Sequence, residues 1–117
     1  MFTGIIESIG KIESLNTNGG DIQVSVQYDI NKLKKLELGE SISVNGVCLT
    51  LVNFDDINLK FDVSSESLAN INSFRVQDYV NLETSLKFNG KISGHFVFGH
   101  VDGIAELIDI NQKDGCE

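Results

Sequence analysis

Two stretches of this chain bring chemically able side chains close together: GESISVNGVCLT over 39–50 and SGHFVFGHVDG over 93–103. In the first, a strand would point Cys48 and Thr50 to one side and Leu49 to the other. A thiol and a hydroxyl then share a face while Leu49 anchors the strand in a core. The second stretch carries the two imidazoles, His95 and His100. Such a group titrates near neutrality and suits proton transfer. Five residues apart on a strand, the two rings face opposite ways, so they do not converge on a metal ion. Two further segments, Phe2-Thr3-Gly4-Ile5 and Asp62 to Leu68, are richer in glycine and polar groups than a plain core requires. Each segment alone also has a plainer reading. Cys48 suits a small buried hydrophobe, Thr50 ordinary β-branched packing, Ser64 to Glu66 a helix cap, and each histidine a hydrogen-bonded structural ring. No Cys-His nucleophile pair can be read from sequence separation alone.

The elements that must hold these residues are mostly strands. Ile22, Val24, Val26 and Tyr28 alternate on one face; so do Ile57, Leu59, Phe61 and Val63, and again Val80, Leu82 and Leu86 with Thr84 between them. The runs 4–15, 41–54 and 96–110 are less regular but crowded with Ile, Val, Phe and Thr, which predicts strand there too. Asn18-Gly19-Gly20, Asp55-Asp56 and Phe88-Asn89-Gly90-Lys91 supply turn chemistry between them, so most strands should be antiparallel neighbours. Two short helices are predicted: 30–36, from Ile30, Leu33 and Leu36, and 65–71, opened by Ser64 or Ser65 as N-cap with Glu66 in the first turn. Six or seven short strands and two brief helices describe a small antiparallel barrel or sandwich. Closing a barrel would remove the free edges that this proline-free chain cannot blunt.

Composition narrows the function. A chain of 117 residues with 41% hydrophobic and 22% charged residues suits one globular domain. Lys and Arg total 9 against 17 Asp and Glu, a formal charge of -8, which disfavours nucleic acid and anionic membranes as partners. Cys48 and Cys116 have neither paired nor zinc-type spacing, and the N-terminus has no basic region leading into a long apolar one. A cytoplasmic protein with no membrane partner is the expectation. The polar stretch 111–117 reads as the start of a linker after a domain spanning 1–110.

Taken together, the motifs resemble the riboflavin synthase alpha chain, specifically its N-terminal lumazine-binding barrel. MFTGII is similar to that family's start, GESISVNGVCLTL to its G-x-S-(three)-N-G-x-C-L-T segment, SSESL to S-x-E-T-L, and SGHFVFGHVDG to G-G-H-(three)-G-H-(two)-G. They fall in the family's order over residues 1–103. The resemblance implies an all-β fold, a six-stranded antiparallel Greek-key barrel with one or two short helices. It implies the dismutation of two 6,7-dimethyl-8-ribityllumazine molecules to riboflavin and 5-amino-6-(ribitylamino)pyrimidinedione, with no cofactor and no metal. Two tandem barrels per chain, a homotrimer when full length, and sites shared between barrels of different subunits are implied as well. An isolated barrel would turn over weakly or not at all and could pair with itself as a homodimer. The alternative within the fold is a non-catalytic lumazine- or flavin-binding protein of the antenna type.

By the same resemblance, Ser41 and His100 assist deprotonation of the ligand's 7-methyl group and addition at C7, with Cys48 and Phe2 also catalytic and Phe2 and Thr3 closing the site. Substrate-binding residues are then Thr3, Gly4, Ile5 and Ile6; Val47, Cys48, Leu49 and Thr50; Asp62, Val63, Ser64, Ser65, Glu66 and Ser67; and Gly99, His100 and Val101. Such a ligand is a flat ring edged by carbonyls and nitrogens with a tail of hydroxyls. It needs apolar walls and a few directed polar groups. Gly46 would let backbone approach the ring, Ser64 and the helix start after it could meet ring or ribityl oxygens, and Ser67 keeps the hydroxyl of the family's Thr.

Overall fold

A computed structural model describes residues 1–33, 35–64, 67, 74–86, 101 and 103–111. Six strands run in order: β1 (Ser8–Asn18), β2 (Asp21–Gln27), β3 (Ser41–Val44), β4 (Val47–Phe54), β5 (Asn58–Ser64) and β6 (Tyr79–Thr84). They close into an antiparallel barrel with neighbours β1-β2-β5-β4-β3-β6. The jumps from β2 to β5 and from β3 to β6 make it a Greek key.

Turn residues set the hairpins. Gly19 and Gly20 join β1 to β2 with φ of 60° and 100°, and Asn45-Gly46 join β3 to β4 with φ of 50° and 82°. Two successive positive φ values define the type I′ turn whose twist matches paired strands. The turn therefore accounts for Gly46 without any close approach. The β4–β5 connection is held by one carboxylate: Asp55 Oδ1 accepts from the amides of Ile57 at 2.8 Å and Asn58 at 2.7 Å.

Alternation fills the barrel. Ile12, Val24, Val26, Ile42, Val44, Leu49, Leu51, Leu59, Phe61, Val63, Val80 and Leu82 form one buried cluster. Ile57 departs from its predicted stripe and is exposed, because it sits in the Asp55 turn. The interior is solid side chain, so any ligand-binding surface lies outside it.

Four further expectations need correction. The strand run predicted over 41–54 is divided at Asn45-Gly46, whose positive φ values fold it back on itself as β3 and β4. The strand predicted over 4–15 begins at Ser8 instead, because Gly4 at φ 85° bends the residues before Ser8 away, and Glu7 N alone of them reaches Leu82 O, at 3.0 Å, among the described bonds. The helix predicted over 30–36 is reduced to turns: Lys32 and Leu33 donate to Asp29 O, and Lys35 at φ 58° then leaves helical space. The predicted strand over 96–110 is absent from 103–110, which are irregular and exposed, Ile108 by 90%. A closed barrel leaves no edge for them to join. Residues 96–100, the 88–91 turn and most of the 65–71 helix lie outside the described residues; Ser67 itself is helical.

Candidate functional site on the outer wall

Register decides which predicted residues meet. Ser43 pairs with Glu83 on one side and Cys48 on the other, and Ser41 pairs with Thr50. Their chain neighbours Ile42, Val44, Leu49 and Leu82 fill the core, so these five side chains project from the outer wall. A carboxylate, three hydroxyls and a thiol thus share one external patch across β6, β3 and β4. Thr50 is exposed, Cys48 and Ser41 are half-buried, and Ser43 and Glu83 are buried. Cys48 is a free thiol.

The patch continues onto β5, where Asp62 and Ser64 are exposed and Val63 is buried. Between β4 and β5 the ladder runs only from Phe54↔Leu59 to Leu51↔Phe61, with a bulge between Leu51 and Asn53. Beyond Leu51 and Phe61 no pairing continues, although β4 extends to Val47 and β5 to Ser64. Among the described residues, no ladder joins 47–50 to 62–64. Backbone polar groups seek partners, and these segments can offer theirs to a polar-rimmed ring. Ser64 closes this end: its Oγ accepts from Ser67 N at 3.1 Å and donates to Ser67 Oγ at 2.8 Å, the capping predicted for it.

Opposite, residues 1–7 lie as a strap along β6. Glu83 Oε2 accepts from Thr3 N at 2.8 Å and Thr3 Oγ1 at 3.0 Å, and its Oε1 accepts from Gly4 N at 3.1 Å. Glu7 returns the arrangement, its Oε1 accepting from Thr84 N and Oγ1, both at 2.7 Å. Phe2 is buried, 1% exposed, yet stands apart from the cluster that fills the barrel. Ile5 and Ile6 are exposed. At the flanks lie two concavities. One of about 430 Å³ is lined by Asn45, Val47, Phe74, Asn81, Val101 and Ile104. The other, about 470 Å³, is lined by Ile6, Glu7, Ser8, Ile9, Asp29 and Lys32. Neither of these two contains Cys48, Thr50 or Asp62; strand register brings Cys48 and Thr50 together with Ser41 and Ser43 instead.

Of the predicted residues, Ser41, Cys48, Thr50, Asp62, Ser64 and the strap fall on this continuous surface, while Leu49 and Val63 point into the core. Val47 and Val101 line the flanking concavity. Ser65, Glu66, Gly99 and His100 lie outside the described residues, as does His95. Sequence reasoning missed Ser43 and Glu83. Ser43 was recoverable, since period two places it beside Ser41; Glu83 carries no local signal, because its partners are about eighty residues away.

Among the described residues, the ionisable groups with clear shifts, Tyr28 and Asp55, lie at the other end of β4 and β5. Tyr28 donates to Asp55 O at 2.7 Å; burial first, then the charges of Asp56 and Asp55, push its hydroxyl pKa up. The amides of Asn58 and Ile57 hold the Asp55 carboxyl below its usual range.

The lumazine binding domain family model matches residues 3–85. The chain belongs to the lumazine binding domain family. Riboflavin synthase of Photobacterium phosphoreum is 40% identical over 111 residues, covering 93% of this chain and 51% of that one. Riboflavin synthase of Bacillus subtilis (strain 168) is 41% identical over 118 residues, covering 99% and 54%. The chain thus spans about half the length of the curated relatives it matches. A crystal structure of LumP complexed with riboflavin matches 97% of this chain and 62% of its own with TM-score 0.80 and 25% identity. Another, of LumP complexed with 6,7-dimethyl-8-(1'-D-ribityl) lumazine, shares the fold with TM-score 0.79 at 24% identity, covering 97% and 63%. Among the described residues, no helix is long and apolar enough to cross a membrane.

Proposed function

We propose that this chain is the N-terminal, lumazine-binding half of a riboflavin synthase. What carries the reading is the outer patch, where the β4–β5 ladder among the described residues stops short of Ser41, Cys48, Thr50, Asp62 and Ser64 on a family barrel. The substrate is 6,7-dimethyl-8-ribityllumazine. One molecule gives a four-carbon unit to a second, yielding riboflavin and the ribitylamino-pyrimidinedione, so carbon balances without a redox partner.

Two tasks fall to the protein: orienting two rings and stabilising the anion left when the 7-methyl group loses its proton. Backbone amides at 47–50 and 62–64 meet the polar ring edge, Thr50 and Ser64 hydroxyls add directed hydrogen bonds, and the strap residues Thr3 to Ile6 form a wall. Ser41 and His100 assist proton removal and addition at C7, with Cys48 also catalytic and Phe2 seating the strap. The role of His100 rests on its place in SGHFVFGHVDG. Half a site on each barrel explains the further reading that the natural enzyme carries a repeated second barrel after residues 111–117, assembles as a cytoplasmic homotrimer, and that one barrel alone self-associates as a dimer.

Mixing the protein with the lumazine while following its fluorescence and riboflavin formation tests this. Binding with turnover is expected at a low rate, or binding alone if the second barrel is indispensable. Absence of binding removes the reading.

A further inference from the structure

We propose that Glu83 is a positioning residue for ligand binding: by gripping Thr3 and Gly4 it fixes the N-terminal strap as one wall of the outer groove. The inference rests on the lumazine-binding reading above. Glu83 is 5% exposed although it points away from the core. A carboxylate removed from water needs its acceptor sites filled, and the strap supplies three donors from two residues. Gly4 at φ 85° is the bend that lets successive amides address one carboxylate. The Thr3 hydroxyl, having donated to Glu83, accepts from Ile5 N at 3.2 Å, so the clasp also sets where Ile5 leaves the strap.

Distance ties this clasp to the patch. Glu83, Ser43 and Cys48 sit in one row on adjacent strands. Strand spacing puts Glu83 about 10 Å from Cys48, roughly the long dimension of a fused two-ring system. A strap fixed over β6 and an open edge beyond β4 then bound a floor made by β3 and β4. Without Glu83 the floor remains and the wall is free to move.

Chemistry dictates the variant. Both Glu83 oxygens accept, so Glu83→Gln, equal in size, can satisfy Thr3 or Gly4 but not both. E83Q should weaken lumazine binding about tenfold, as expected for a charge-assisted hydrogen bond, through faster release. Amide exchange at Thr3 and Gly4 should accelerate while core amides such as Leu82 stay protected. Because Thr3→Val disturbs the same clasp, E83Q combined with T3V should bind no more weakly than E83Q alone. Wild-type affinity in E83Q, or losses that multiply in the double variant, would overturn the assignment. Should E83Q not fold, T3V decides by itself: a raised Kd together with faster amide exchange at Gly4 supports the clasp, and an unchanged Kd or unchanged exchange at Gly4 overturns it. If the unaltered protein binds no lumazine, the functional reading falls and the proposal with it; if it binds and E83Q binds equally, only the proposal falls.

Discussion

The two ends of the β4–β5 pair use the same strands to opposite effect. At one end Phe54 and Leu59 are paired, Asp55 holds the connecting turn, and the Tyr28 hydroxyl donates to the Asp55 carbonyl. At the other, Val47 to Thr50 and Asp62 to Ser64 run past each other without a ladder, and their outward side chains are hydroxyl, thiol and carboxylate. The first end spends its polar groups on the fold. At the second only the Ser64 hydroxyl is committed, to Ser67, among the described bonds, and the barrel stays closed because β4 and β5 are each paired along their other edge, to β3 and β2. A small barrel can therefore open part of one seam for recognition while its remaining seams hold the core.

That contrast can be broken experimentally, most strongly at the closed end. Phe61 is fully buried opposite Leu51, and Phe61→Ala should cost about 3–5 kcal/mol in denaturant unfolding. A loss below about 1 kcal/mol would mean the closed end does not carry the fold. At the open end, Thr50→Val should weaken lumazine binding by about 1–3 kcal/mol in a titration, with stability within about 0.5 kcal/mol of wild type because Thr50 is exposed. Unchanged affinity removes Thr50 from the site, and an equal loss of stability erases the distinction between the ends. Gly46→Ala, at φ 82°, should destabilise by about 1–2 kcal/mol by forcing a side chain into left-handed space. A smaller change in unfolding midpoint would show that the β3–β4 turn tolerates another shape.

The smallest effect is expected at Asp55. With its folded pKa held below the ordinary carboxyl value, Asp55 stabilises the fold fully above that ordinary value, and the contribution is lost as pH falls through the lowered one. Asp55→Asn should flatten the acid side of a stability-versus-pH curve measured by urea midpoints. An acid limb as steep as wild type would assign the turn's strength to its backbone alone.

Much of this architecture could be read from residue order. Alternation located β2, β5 and β6, and Asn18-Gly19-Gly20 and Asp55-Asp56 marked two connections, because both signals are local; the Asn45-Gly46 turn lay hidden inside a run read as one strand over 41–54. Sharing of a face by Cys48 and Thr50 followed from period two. The register of Ser43 against Glu83 could not be read, since it depends on closure of β3 against β6 across the intervening chain. Ile104, Leu107, Ile108 and Ile110 suggested a strand by composition, yet propensity has no effect without a partner edge. The 30–36 stretch has helical spacing, but Ile30 is exposed and only Leu33 is fully buried, too little to sustain a helix past Lys35.

The barrel's filled interior has one more implication. A protein without a lumen must carry any cargo on its exterior, so loading and unloading proceed without the strands breathing. Exchange rates of a docked molecule should then be indifferent to changes in core packing, and a neighbouring surface could receive that molecule directly.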